Sequence, residues 1–117
     1  MTNQELGVYG EKLAQEFLAK KDFKIIETNY RFLKSEIDIV CEFDNKLIVV
    51  EVKTRQTAEI GEPWRAVTRA KQRQIIKVAN HYIYQFDIHK ETRFDIISIV
   101  HNSYRTDIEH IEDAFTP

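Results

Sequence analysis

Glu51-Val52-Lys53 closes the apolar run Leu47-Ile48-Val49-Val50, and Glu36-Ile37-Asp38 lies one short hairpin upstream. Residues two apart on a strand project to the same face, so Glu51 and Lys53 share one. A second carboxylate delivered to that face by the neighbouring strand would complete an acidic pocket with an amine beside it. Such a set can bind a divalent cation and hydrolyse a phosphodiester.

The hairpin register follows from the pattern. Ile37, Ile39, Cys41 and Phe43 alternate with Asp38, Val40 and Glu42, and a second strand, Leu47 to Thr54, is rich in Val and Ile. Asp44-Asn45 between them suits a two-residue turn, since both tolerate positive φ. Phe43 then pairs with Lys46, Asp38 falls opposite Glu51, and Glu36 opposite Lys53. Opposed residues share a face with Cβ atoms about 4.5–5.5 Å apart. The other face carries Ile37, Ile39 and Cys41 against Val52, Val50 and Ile48, all apolar. Two opposed carboxylates repel unless a proton, a cation or the lysine offsets them. Mg²⁺ takes one or two carboxylates and keeps several waters, so the Asp38–Glu51 gap suits it. The competing reading is a solvated sheet face on which Glu36–Lys53 is a surface ion pair worth about 0–1 kcal/mol.

A first helix is predicted over Asn3 to Lys21. Thr2 and Glu5 have capping-box spacing, and Leu6, Tyr9, Leu13, Ala14, Phe17 and Leu18 form its apolar face. Glu11 lies on the flank of that face. It can reach a site between helix and sheet, or pair with a nearby Arg or Lys. Phe23 to Glu27 reads as a short strand, with Asn29-Tyr30-Arg31 leading to the hairpin. After Lys53 comes a polar stretch from Thr54 to Glu62, with Gly61 and Pro63 as breakers. A second helix should start near Trp64 or Ala66 and end at Tyr84, with Val67, Ala70, Ile75, Val78, Ala79 and Tyr82 inward and Arg69, Arg73 and Lys77 along another stripe. Arg93 to Val100 is a strand with Phe94, Ile96, Ser98 and Val100 on one face and Arg93, Asp95, Ile97 and Ile99 on the other. Ile108 to Phe115 is a terminal strand or turn. The order α-β-β-β-α-β with a C-terminal extension implies a mixed α/β sheet flanked by helices, its β–α–β unit parallel and right-handed.

The chain has 117 residues, 43% of them apolar, with three Gly and two Pro. This predicts one domain over residues 1–117 with a real core. No run approaches a membrane span, and the N-terminus lacks the features of a signal peptide, so a cytoplasmic location is expected. Cys41, the single cysteine, fits a reduced compartment. His81, His89, His101 and His110 lack zinc spacing and read as surface or boundary residues. The net charge of −2 argues against indiscriminate nucleic-acid binding. Its distribution is less even. Lys53, Arg55, Arg65, Arg69, Lys71, Arg73 and Lys77 face only Glu59 and Glu62 in that segment, while Asp107, Glu109, Glu112 and Asp113 make the C-terminus acidic. A basic segment following an acidic pocket suits a phosphate-backbone enzyme. The same pattern also describes a solvated helix face.

The element order with Asp38 and Glu51-Val52-Lys53 resembles the restriction-endonuclease-like PD-(D/E)xK nucleases. More closely, nearly the whole chain resembles the YraN family of bacterial proteins. The matching residues are Gly10-Glu11 with Ala14, Asn29-Tyr30-Arg31, Glu36-Ile37-Asp38-Ile39-Val40, Val50 to Arg55, Val67 with Lys71, Ala79 with Tyr82, and Arg93-Phe94-Asp95-Ile96. That family is similar to archaeal Holliday-junction resolvases, which implies a restriction-endonuclease-like core and a predicted endonuclease. Carried over, Asp38 and Glu51 would be metal ligands for Mg²⁺ or Mn²⁺, with the Val52 carbonyl a third. Lys53 would act on the attacking water and stabilise charge on the phosphate. Glu11 and Glu36 would complete the acidic site, and Arg31, Arg55 and Lys71 would contact phosphates. Ser35 stands where the family usually has Gly, and the proline of the motif name is absent.

The leading expectation is therefore a metal-dependent endonuclease acting on DNA, with branched or junction DNA as candidate substrate and Arg69 and Arg73 as further phosphate contacts. A two-fold homodimer would suit a junction with two cut sites. The alternative is a catalytically inert nucleic-acid-binding or protein-interaction module on the same fold. RNA as substrate is a third, weaker reading.

Overall fold

Thr2 and Glu5 exchange hydrogen bonds between side chain and backbone, and this capping box starts helix α1, Asn3–Lys20. The computed structural model describes residues 1–57 and 67–117. After α1 come strands β1 (Lys24–Phe32), β2 (Ser35–Phe43) and β3 (Lys46–Arg55), helix α2 (Arg69–Gln85), and strands β4 (Thr92–His101) and β5 (Thr106–Phe115). The strands form one sheet in chain order, antiparallel except for the parallel β3–β4 pair. This mixed α/β architecture is compatible with a restriction-endonuclease-like core. No helix among the described residues is long and apolar enough to cross a membrane.

The sheet is covered on both sides. Ile75, Val78, Ala79 and Tyr82 of α2 pack on Val40, Leu47, Val49, Phe94 and Ile96. Ala14 and Leu18 of α1 pack on Ile39, Cys41, Ile48, Val50, Ile97 and Ile99. Each fully buried aliphatic side chain contributes about 1.5–3 kcal/mol. Alternation along β3 and β4 thus feeds two cores, as expected for strands buried on both faces. Gly10 brings α1 onto β3, because a Cβ there would lie 1.9 Å from Thr54 Oγ1.

The β2–β3 register is the one read from the pattern. Asp44 and Asn45 both have positive φ, 53° and 59°, and Phe43 pairs with Lys46 through to Ile39 with Val50. Beyond that point the expectation fails. Asn29, at φ 52°, drops out of the β1–β2 ladder together with Asp38, between the pairs Thr28↔Ile39 and Tyr30↔Ile37. Both strands change face there. Ile37 packs with Tyr30 on the α2 side, whereas Ile39 packs on the α1 side. Ile37, Ile39 and Cys41 therefore do not share a face. Glu36 pairs with Arg31 in the ladder and is not opposed to Lys53.

Other boundaries also move. β1 continues through Asn29-Tyr30-Arg31 to Phe32, and the C-terminal segment is a strand throughout. Helix α2 begins at Arg69, because the Thr68 hydroxyl caps it by accepting from Lys71 N–H. The predicted starts at Trp64 and Ala66, the breakers Gly61 and Pro63, and Glu59, Glu62 and Arg65 lie outside the described residues.

Candidate active site

The break at Asn29 and Asp38 makes the site. Where the β2–β3 ladder ends, the Val52 N–H donates to Asp38 Oδ2 at 2.8 Å. A side-chain oxygen has taken the place of a strand neighbour, and β2 and β3 part around it. A residue in a strand turns its N–H and C=O to the same neighbour, so the Val52 carbonyl faces this gap too. Glu51 is only 8% exposed, and its carboxyl acts on Asp38 across this gap. Burial pushes Asp38 up to about 8, with the Glu51 contact and charge adding to it, against the opposing Val52 N–H.

Lys71, on the same stripe of α2 as Ile75, Val78 and Tyr82, approaches Glu51 Oε2 at 3.6 Å. Lys53, expected from the resemblance to act on the attacking water, is exposed on β3 and makes no ion pair among the described residues. Alternation still puts Lys53 and the half-buried Arg55 on the Glu51 side of β3.

A second group of carboxylates lies towards α1. Asn29 Nδ2 donates to Glu11 Oε1 at 2.7 Å and to Glu36 Oε1 at 3.4 Å. Arg31 pairs with Glu36 at 3.2 Å. Burial raises the pKa of Glu11 and the charges of Asp38 and Glu36 raise it further, while the Asn29 bond acts in the opposite direction. The face change explains the grouping. It sends Glu36 towards Glu11 and away from Lys53, leaving Asp38 and Glu51 together.

Asp38, Glu51, Glu11 and Glu36 are thus brought to one region, with Lys71 beside them. Arg69 and Arg73 are exposed on α2 and carry no contact to the carboxylates among the described residues. Asn29 was missed as a site residue. Its signal was a polar, left-handed-tolerant residue interrupting an otherwise β-forming run.

The donor set is all oxygen, two carboxylates at close range and a carbonyl, which fits Mg²⁺ or Mn²⁺ better than zinc. Among the described residues no group of three or more His, Cys, Asp or Glu side chains has metal-holding geometry.

A separate buried group corrects one histidine reading. The His110 side chain is 3% exposed, not a surface group, because β5 turns it towards Phe17 and Phe23 at α1. His110 Nε2 and Asp95 Oδ2 are 2.7 Å apart, and Lys21 Nζ lies 2.8 Å from His110 Nδ1.

Comparison with known proteins agrees with the resemblance drawn from the motifs. The model of the uncharacterised protein family UPF0102 matches residues 10–99. A UPF0102 protein of Christiangramia forsetii is 47% identical over 113 residues, covering 97% of this chain and 95% of its own. A UPF0102 protein of Flavobacterium psychrophilum is 44% identical, with the same coverage of both chains. One from Natranaerobius thermophilus is 44% identical over 119 residues, covering 98% of this chain and all of its own. The matched span holds Glu11, Asn29, Asp38, Glu51, Lys53 and Lys71, and the chain belongs to the UPF0102 family, also called YraN.

Proposed function

We propose that the chain is a Mg²⁺- or Mn²⁺-dependent endonuclease that hydrolyses phosphodiester bonds in DNA. The observation that carries this reading is the pairing of Asp38 and Glu51 in the gap between β2 and β3, where Lys71 is the ion-pair partner of Glu51 among the described residues. A protein gains little stability from such a pair, because each carboxylate raises the cost of ionising the other. A divalent cation removes that conflict.

Asp38, Glu51 and the Val52 carbonyl would hold the cation. When bound, it supplies Lewis-acid polarisation of a phosphoryl oxygen and lowers the pKa of a coordinated water. The Asp38 bond to Val52 N–H fixes the carboxylate against the strand, so its position does not depend on the ligand. Lys71 holds Glu51 from the other side and can turn to a phosphate. Lys53 extends from the same face of β3 and balances charge on the scissile phosphate. Arg31, Arg55, Arg69 and Arg73 are assigned to the flanking backbone phosphates, and Glu11 and Glu36, tied by Asn29, to the rim facing α1.

Calorimetric titration of Mn²⁺ tests the reading, with Asp38→Asn as control and a cleavage screen on branched, flapped and linear DNA. Saturable binding lost in Asp38→Asn, with metal-dependent cleavage, is the expected result. Folded protein that binds no metal with or without DNA overturns it. The sparse donor set also suits a second reading, an inert binding module on the same fold. Such a module would bind DNA equally well in EDTA, with an affinity falling steeply with salt.

A further inference from the structure

The two tight hairpin turns of the sheet differ in a way that local chemistry does not explain. Asp44-Asn45 has positive φ at both positions, and both residue types tolerate it. In the β1–β2 turn, Phe32 pairs with Ser35, and only the first central residue has positive φ, as in a type II′ turn. Glycine is the favoured residue there. The residue present is Leu33, at φ 57° and 70% exposed. A leucine in this position is strained and leaves its side chain in water, so neither the fold nor burial accounts for it.

Its surroundings suit nucleic acid. Phe32, Leu33 and Lys34 line one side of a surface hollow of about 430 Å³, and Gln74 and Lys77 of α2 line the other. Among the described residues no acidic side chain lines it. Lys77 continues the exposed stripe of Arg69 and Arg73 along α2. The tip leads directly into strand β2, which carries Asp38. Leu33 precedes Asp38 by five residues, and at about 3.3 Å per residue the two lie at most about 17 Å apart. At about 3.4 Å per nucleotide along one strand, that spans at most about five steps.

We propose that Leu33 is an apolar wedge that enters an opened base step, so that the DNA acted on carries an interrupted or weak stack within about five nucleotide steps of the cut. This rests on the endonuclease reading above and names the substrate class of that site. Nicked, gapped or branched duplex offers such a step at low cost, whereas intact duplex must first be unstacked. Leu33 acts as a specificity residue and touches neither the metal ligands nor the scissile phosphate.

The test compares the wild type with Leu33→Gly and Leu33→Met. Glycine is favoured at this φ, so Leu33→Gly should keep or raise the melting temperature. Methionine keeps an apolar wedge. Each protein is titrated, with Ca²⁺ in place of Mg²⁺, into nicked and intact duplexes of one sequence, carrying 2-aminopurine at successive steps from the nick. The wild type and Leu33→Met should bind the nicked duplex about tenfold more tightly than the intact one and raise the fluorescence at one step. Leu33→Gly should lose both the preference and the signal but keep its affinity for intact duplex within about twofold. Unchanged preference and signal in Leu33→Gly overturn the wedge and leave the endonuclease reading standing. Wild-type protein that binds neither duplex removes both.

Discussion

Asp38 and Asp95 occupy nearly the same local sequence, Ile37-Asp38-Ile39-Val40 against Phe94-Asp95-Ile96-Ile97, on two strands of one sheet. Their surroundings are opposite. Asp95 is fully buried and accepts from Arg93 Nε at 2.9 Å, Arg93 NH2 at 2.8 Å and the Asp113 N–H at 3.0 Å, with His110 Nε2 at 2.7 Å. Burial acts to raise its pKa, but the bonds from His110, Arg93 and Asp113 outweigh it and hold the carboxyl below its usual range. Asp38 has one N–H and faces a second carboxyl, and is pushed up to about 8. A buried carboxylate with every lone pair answered ties strands together. One set against another acid is poised for a ligand that brings positive charge.

The largest effect should come from breaking the answered group. Asp95→Ala leaves Arg93 and His110 facing each other without their acceptor and should cost about 3–5 kcal/mol in chemical denaturation. Asp38→Asn should cost less than about 1 kcal/mol, or raise stability, since it removes an acid whose ionisation burial and Glu51 oppose. Equal losses in both variants would erase the distinction between them.

Next comes chemistry. Asp38→Asn or Glu51→Gln should lower metal-dependent DNA cleavage by at least about a hundredfold, about 2.7 kcal/mol in the barrier, with the fold intact by circular dichroism. Cleavage surviving in both variants would remove the pair from the mechanism.

The two aspartates should also give stability opposite pH dependences. Between about pH 4 and pH 8 the native state holds a proton on Asp38 that the unfolded chain has lost. Stability in metal-free protein should therefore fall as pH rises through that window, by up to about 1.4 kcal/mol per unit. The contribution of Asp95 is present above the unfolded aspartate value and is lost as pH falls through its lower folded one. Thermal melts from pH 4 to 8 should flatten in Asp38→Asn, and saturating Mn²⁺ should reverse the decline in the wild type. A slope unaltered by either would assign it to other groups.

The smallest effect concerns the kink that separates the two environments. Asn29→Ala at φ 52° should cost about 1 kcal/mol, and Asn29→Gly less, since glycine accepts the left-handed backbone. Both lose the bond to Glu11, so a carboxylate resonance of Glu11 followed by NMR should shift in both. A shift in neither would detach Asn29 from the acidic group.

Much of the fold was legible because it follows from nearest-neighbour rules. The Thr2–Glu5 capping box, the Asp44-Asn45 turn, the register from Phe43↔Lys46 to Ile39↔Val50 and the parallel β3–β4 pair all came from spacing and turn chemistry. So did the placing of Phe94 and Ile96 on one face of β4 and Ile97 and Ile99 on the other. Extrapolating strict alternation past Ile39 failed, because one left-handed residue on the adjacent strand, Asn29, turned both strands over. His110 was misread for a related reason: an edge-strand residue is exposed or buried according to which helix lies over it.

By itself, the sequence determined the elements, their order, the hairpin register and the candidate pair Asp38 and Glu51, since these depend on residues a few positions apart. Only the tertiary structure decided which charges meet. Lys71, far along the chain, is the ion-pair partner of Glu51 among the described residues. Glu36 turns to Glu11 and Asn29, and Asp95 is matched by Arg93, His110 and Asp113 while Asp38 is not. Electrostatic environment is set by groups distant in the chain and by how much water is excluded between them, and no local pattern encodes either.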